Sequence, residues 1–134
     1  MKTNLIAQGP LRPFQIIIDH KIGYGSNSSV ITRKGLVSLV TKYLKERAAN
    51  GLPFLSGAVI SGDRCYAWPT VKGGAVAENE PVSIYTGDAS LQYHPNLSDA
   101  DVLAILNDMA AMLAEKLQQS RIFLSYMDKM YVFQ

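Results

Sequence analysis

Asp19 and His20 are the first residues whose types could do chemistry together, because they place a carboxylate next to an imidazole. A neighbouring carboxylate can tune an imidazole as a general base near neutral pH. The two residues end an apolar, β-branched run, and successive residues of a strand point to opposite faces of the sheet. The side chains are therefore not expected to pair directly, and a structural role for both is favoured over a catalytic one.

A loop rich in glycine and serine, residues 23–29, precedes a segment with helical periodicity. Helix N-termini attract anions, and Arg33 and Lys34 at the start of that segment would help to hold a carboxylate or a phosphate. The loop lacks the lysine and the spacing of a nucleotide-binding P-loop. An anion site is thus one interpretation of these residues, beside that of an ordinary connecting loop.

Two similar tripeptides, Ser61-Gly62-Asp63 and Thr86-Gly87-Asp88, would form a paired-carboxylate site only if the fold brought them together. Gly-Asp pairs are also common in turns, because glycine permits a positive φ and aspartate accepts hydrogen bonds from nearby amides. Turns are the favoured interpretation of both tripeptides. His94 is expected in a loop that leads into a second helix.

Cysteine and histidine are scarce in the chain. Cys65 is the single cysteine, and there are two histidines. One cysteine excludes an intramolecular disulfide and a zinc site built from several cysteines. We therefore predict neither a metal centre nor a cofactor.

The chain of 134 residues is long enough for one domain with a sizeable core, and its net charge of +2 requires neither nucleic acid nor an anionic membrane as a partner. No apolar run approaches the ~18 residues of a membrane span, and the N-terminus lacks the apolar region of a signal peptide, so a cytoplasmic location is expected. Residues 1–67 carry nine basic and three acidic residues, whereas residues 68–134 carry four and eight. This polarity would suit subunits that pack head to tail in a ring, although chance and helix-end preferences explain it more simply.

The elements that would position these residues follow in the same order twice. Apolar runs rich in β-branched residues indicate strands, and apolar residues at three- and four-residue spacing indicate helices. The predicted strands are 14–18, 55–60, 64–68, 81–86, 122–127 and 130–133, and the predicted helices are 32–50 and 98–117. Strands 55–60 and 64–68 would form a hairpin around a turn at 61–63, and residues 69–80 would be a connecting loop.

The order β-α-β-β thus occurs in residues 13–68 and again in residues 81–134. It predicts one α+β domain in which two helices pack on one face of a mixed sheet. An alternative is a ferredoxin-like fold in which the short hairpins are single bent strands. The number of strands distinguishes the two.

This order resembles the two-repeat members of the tautomerase superfamily, the group of the macrophage migration inhibitory factors and the 5-carboxymethyl-2-hydroxymuconate isomerases. The similarity is strongest where residues 114–117 lead into residues 121–128, and residues 50–57 resemble the matching segment of the hydroxymuconate isomerases. It covers residues 13–134 and leaves residues 1–12 as an N-terminal extension. The resemblance implies a homotrimer with sites between subunits.

By the resemblance, Pro13 stands where the superfamily has an N-terminal proline whose secondary amine is the general base of keto–enol transfer. In this chain the nitrogen of Pro13 is part of an amide bond, so this proline is a base only if residues 1–12 are removed. Arg33, Lys34 and Arg64 would then bind the carboxylate of the substrate.

The chain departs from the superfamily at other positions that matter for its chemistry. It has Leu52 where the inhibitory-factor group has a basic residue, and Phe123 and Ser125 where that group has a tyrosine and an asparagine. By the resemblance, the fold is expected to be kept while the usual mechanism is lost.

Two functions are left open by these residues. The first is a tautomerase-like isomerase of small 2-oxo or dicarboxylic acids; the alternative is a non-catalytic binding or assembly module on the same fold. The expected partners are other copies of the chain and a small carboxylate ligand. Nucleic acid is not expected, because the aromatic residues near the C-terminus have only Lys129 as a basic neighbour.

Overall fold

The computed structural model describes residues 2–23, 29–89 and 96–134. None of the helices in these ranges is long and apolar enough to cross a membrane. The elements are, in chain order, β1 (Pro13–Asp19), α1 (Arg33–Ala49), β2 (Ala58–Pro69), β3 (Ala75–Asp88), α2 (Asp99–Lys116), β4 (Ile122–Tyr126) and β5 (Lys129–Phe133).

β1 lies in the middle of a five-stranded sheet of order β2-β3-β1-β4-β5. The four pairs of neighbouring strands are antiparallel, so the sheet is antiparallel rather than mixed. The element order from β1 to β4 is that of a ferredoxin-like β-α-β-β-α-β unit, and β5 adds a hairpin partner beside β4. The α+β class is therefore confirmed.

Alternate residues of β1 anchor the core. Phe14, Ile16 and Ile18 are fully buried, and they form one cluster with Leu36 of α1 and Leu113 of α2. Removing each of these side chains from water contributes about 1.5–3 kcal/mol. Both helices thus pack on the same face of the sheet, as predicted, and we call the opposite face the open face.

Both helices begin within one residue of the predicted ranges, and each has a capping side chain at its start. Thr32 accepts a hydrogen bond from the amide of Gly35 at the start of α1. At the start of α2, Ser98 and Asp101 form a capping box, in which each side chain accepts from the backbone amide of the other residue. These caps fix where each helix begins relative to the strand before it.

The hairpin predicted in the first half of the chain is wrong, because β2 runs without interruption through residues 61–63. Residues 75–80, predicted as loop, form the first half of β3 and extend the ladder beyond that point. The turn lies instead at residues 70–74, where Gly73 and Gly74 have φ of 88° and 85°, a region that glycine enters at little cost. The sheet of the described residues accordingly has five strands rather than the six predicted. In the first half of the chain a single long strand replaces the predicted short hairpin, as in the ferredoxin-like alternative.

The turn predicted at Thr86-Gly87-Asp88 is also wrong, since this tripeptide lies in β3 and pairs with Pro13–Gln15 of β1. Gly87 serves close packing instead, because a Cβ atom there would lie 2.8 Å from the ring of Phe14. The hairpin predicted at the C-terminal end is confirmed as β4 and β5, which pair from Ile122↔Phe133 to Tyr126↔Lys129.

Replacing Gly57 tests how tightly the chain approaches β3 just before β2. A Cβ atom on Gly57 would lie 2.6 Å from the carbonyl oxygen of Thr86 and 3.0 Å from the ring of Tyr85. Gly57→Ala is therefore expected to lower the free energy of unfolding by about 1–3 kcal/mol in urea titrations. Gly62→Ala is the matched control, since a Cβ there meets nothing within 4 Å. Equal stability of the two variants would contradict the close approach.

Candidate functional site

The open face of the sheet carries a continuous apolar row. One residue from each strand contributes to it, in the order Ile60, Ile84, Ile17, Phe123 and Val132. The two outer residues, Ile60 and Val132, are 57% and 53% exposed. A row of this kind on a sheet face that no helix covers is typical of a surface that contacts a partner.

A polar cluster lies beside this row, where β1 ends. Oδ1 of Asp19, the last residue of β1, is 3.2 Å from a terminal guanidinium nitrogen of Arg64 on β2. Arg64 is directly opposite Glu80 of β3 in the ladder, so the carboxylate of Glu80 is on the same face. The continuous β2 positions Arg64 here, which a turn at residues 61–63 would have prevented.

Two cavities adjoin Asp19. The larger, of about 330 Å³, is lined by Asp19, Ser120, Arg121 and Phe123. The smaller, of about 100 Å³, is lined by Asp19, Lys21, Gly23, Glu80 and Gln119. We call Asp19 and its charged neighbours the Asp19 site; they are Asp19, Lys21, Arg64, Glu80 and Arg121.

Oδ1 of Asp19 is a buried acceptor without a hydrogen-bond donor in the described chain. The guanidinium of Arg64 is close enough for an ion pair, but its N–H groups are not directed at this oxygen. A buried oxygen that accepts no hydrogen bond costs about 1–3 kcal/mol, more when it is charged. The residue that lines both cavities therefore has an unused acceptor, which a ligand that donates a hydrogen bond or carries a positive charge would satisfy.

His20 points to the helix side of the sheet, so it does not pair with Asp19, as the strand alternation predicts. It is 4% exposed; Nδ1 lies 2.7 Å from the carbonyl oxygen of Ile31 and Nε2 lies 2.5 Å from Oγ of Ser83. Oγ of Ser83 in turn lies 2.7 Å from Oγ of Ser61. His20 is thus held by a polar network on the face opposite the Asp19 site.

Pro13 lies at the other end of β1 from Asp19, ~20 Å away for six residues of extended strand. Its nitrogen is bonded to Arg12, whose amide donates to Asp88 at 2.7 Å and whose side chain donates to Tyr126 at 3.0 Å and to Asp99 at 3.1 Å. Hydrogen bonds from Tyr126 and Arg12 lower the pKa of Asp99. Removal of residues 1–12, which would free the nitrogen of Pro13, would therefore also remove the anchored Arg12. The role of Pro13 as a base stays a prediction.

The predicted carboxylate-binding residues do not lie together. Arg33 and Lys34 are the first two residues of α1 and are exposed, on the helix side of the sheet. Arg64 belongs to the open face and contacts Asp19. Neither Arg33 nor Lys34 forms an ion pair with another residue of the described ranges.

Some of the predictions fall on parts of the chain about which the structure gives no description. Residues 24–28 of the predicted anion loop and His94 lie outside the described residues. Among the residues that are described, no group of three histidine, cysteine, aspartate or glutamate side chains is arranged to hold a metal ion.

The contacts of Arg12 predict how stability depends on pH. Because the pKa of Asp99 is lower in the folded chain, its stabilisation is present above the ordinary value of about 3.9 and is lost as the pH falls through the folded value. Asp99→Asn should therefore unfold at lower urea concentration than the parent chain at pH 7, and this difference should shrink below pH ~4. Asp63→Asn, on exposed β2, is the control. A difference that persists unchanged at pH 2 would contradict the ionic role of Asp99.

No protein-family model matches the chain, and no curated protein matches it. Two solved structures do resemble it, both of a phage SAM lyase. The complex with S-methyl-5'-thioadenosine has a TM-score of 0.61 and the apo state a TM-score of 0.62, each at 15% sequence identity over 98% of this chain and 96% of the lyase. At this identity the likeness concerns the fold alone: the chain has, over nearly its whole length, the fold of an enzyme that acts on a small molecule.

Proposed function

We propose that the Asp19 site binds S-adenosylmethionine (SAM) and promotes cleavage of a carbon–sulfur bond at its sulfonium. The observation that carries this proposal is the carboxylate of Asp19: the residue lines two cavities, and its buried Oδ1 accepts no hydrogen bond within the described chain. The fold shared with the phage SAM lyase, which acts on SAM and binds S-methyl-5'-thioadenosine, supports the choice of ligand.

The charges of the Asp19 site complement those of SAM. SAM carries a carboxylate, an ammonium group and a sulfonium. Arg64 and Arg121 supply guanidinium groups, which bind carboxylates well because their N–H donors match both oxygens. Asp19 and Glu80 supply negative charge for the ammonium and sulfonium groups. Phe123, which lines the larger cavity, offers an aromatic surface to the adenine ring.

The reaction requires mainly that the protein position SAM. When the bond between sulfur and Cγ of the amino acid part breaks, the bonding electrons stay on sulfur and neutral S-methyl-5'-thioadenosine leaves. An oxygen of the carboxylate of SAM bonds to Cγ in the same step and closes a five-membered lactone. No side chain has to protonate that leaving group. A site that fixes the amino acid part of SAM relative to the sulfonium therefore suffices for rate enhancement, by orientation and by electrostatics.

Binding and turnover of SAM test this function directly. The chain is expected to bind SAM in calorimetric titrations and to release S-methyl-5'-thioadenosine, measured by liquid chromatography. Asp19→Asn should weaken binding by about tenfold or more, because it removes the charge that faces the ligand. Asp63→Asn lies on β2 outside the site and should bind as the parent chain does. Absence of SAM binding by the parent chain would overturn the proposal.

Binding without release of the thioether would instead support the alternative, a non-catalytic binding module on the same fold. A tautomerase function is a separate proposal. It is supported by the position of Pro13 as the first residue of β1, where the resemblance places the base. It requires a chain that begins at Pro13. Intact-mass measurement of the natural protein decides that requirement, and turnover of a phenylpyruvate-type substrate that Pro13→Ala abolishes would establish the function.

The assembly we propose is a homotrimer in which the apolar row of the open face is covered by other copies of the chain. Ile60 and Val132 are more than half exposed in the single chain, and covering them removes apolar surface from water. The same contact would close the larger cavity beside Asp19, which borders Phe123 of the row. Exclusion of water strengthens the charge interactions inside such a site.

Light scattering coupled to size-exclusion chromatography tests the assembly. The parent chain is expected to elute with three times the mass of one chain. Val132→Glu should shift this mass towards the monomer, because it places a charge within the apolar row. Val71→Glu is the control, since Val71 lies at the exposed turn between β2 and β3. A monomeric parent chain, or an unchanged mass for Val132→Glu, would contradict the assembly.

A further inference from the structure

A second polar network lies on the helix side of the sheet, and the proposed function does not use it. It joins His20 at the end of β1, Ser83 in β3 and Ser61 in β2 through side-chain contacts of 2.5 and 2.7 Å. Ser61 and Ser83 are directly opposite each other in the β2–β3 ladder. Ser83 is opposite Ile18 of β1, and His20, two residues further along the chain, reaches Ser83 diagonally from the same face of the sheet.

The chemistry of the groups fixes the direction of each hydrogen bond for neutral His20. The carbonyl oxygen of Ile31 can only accept, so Nδ1 of His20 carries the proton and donates to it. Nε2 is then an acceptor, and Ser83 must use its single proton to donate to it. The bond between the two serines therefore has Ser61 as its donor. Protons point along the whole line, from Ser61 towards the ring.

Exposure separates the ends of this line. Ser83 is fully buried and His20 is 4% exposed, whereas Ser61 is exposed. An exposed serine can donate to water, so stability of the fold does not require its proton to point inwards. Ser61 is thus an exposed residue whose hydroxyl proton is directed, through Ser83, at an imidazole. Nucleophilic serines in enzymes share this arrangement of an accessible serine and a positioned base.

We propose that Ser61 is the nucleophile of a second site, which transfers acyl groups from small activated esters. Ser83 and His20 are its positioning residues and carry the proton. The Oγ of Ser61 bonds to the acyl carbon; its proton moves to Ser83 while the proton of Ser83 moves to Nε2 of His20. The alcohol leaves with the electrons of the broken C–O bond and takes the proton back along the same line. Water then hydrolyses the acyl-serine by the reverse sequence.

Labelling of the intact protein tests this site. With p-nitrophenyl acetate, peptide mass spectrometry is expected to find the acetyl group on Ser61. Ser61→Ala should abolish this adduct. Ser83→Ala should slow its formation by about tenfold or more, since it interrupts the proton path. Ser83→Thr, which keeps the hydroxyl, should recover at least part of the rate; a purely structural role would not follow the hydroxyl in this way.

Ser125→Ala is the control, because Ser125 lies in β4 on the open face. Ser61 of this variant should be acetylated at the same rate as Ser61 of the parent chain. An unlabelled parent chain, or a rate in Ser83→Ala equal to that of the parent, would overturn the proposal. The ring nitrogen shifts of His20 in NMR supply a measurement that needs no variant. For the neutral ring they should show the proton on Nδ1, and a proton on Nε2 alone would refute the direction of the relay. SAM binding by Ser61→Ala should be unchanged, so this proposal and the proposed function fail separately.

Discussion

The alternation of side chains along β1 is the constraint on which the rest of the structure depends. β1 is paired on both sides, with β3 and with β4, so its register is fixed by two ladders. A slip of one residue would turn Phe14, Ile16 and Ile18, which are fully buried, out of the core and onto the open face. The same alternation sends Asp19 to the open face and His20 to the helix side, and so creates two separate polar sites at one end of one strand.

The long hairpin of β2 and β3 contributes side chains to the polar groups on both faces of the sheet. Ser61 and Arg64 are three positions apart and so lie on opposite faces, one beside Ser83 and the other beside Asp19. Beyond the edge of β1 the hairpin is a two-stranded ribbon, which is only marginally stable by itself. Tyr66 there donates to Glu78 and to Glu80 at 2.9 Å, which raises its pKa to about 12 and ties the ribbon to a residue of the Asp19 site.

The sequence predicts the fold class and both helix starts because these depend on a local signal, namely the periodicity of the apolar residues. It fails at residues 61–63 because a Gly-Asp pair is compatible with a strand whenever a partner strand continues opposite it, and that partner, residues 75–80, carries no strong strand signal. The Asp19 site could be predicted only in part. Asp19 stands out beside His20, but its contact with Arg64 depends on the register of two ladders, which no spacing in the sequence reveals.

The two polar sites differ in how many of their hydrogen-bonding atoms have partners in the fold. Both ring nitrogens of His20 have partners, so its network is stable without a ligand and its protons are already aligned. Among the described residues Oδ1 of Asp19 has no hydrogen-bond donor, so its burial carries a desolvation cost that a cationic ligand would relieve. Affinity is therefore expected from the Asp19 site, whose free energy falls when it is occupied. The network of His20 gains nothing from occupancy, and any contribution it makes must come from proton transfer, which its fixed geometry favours.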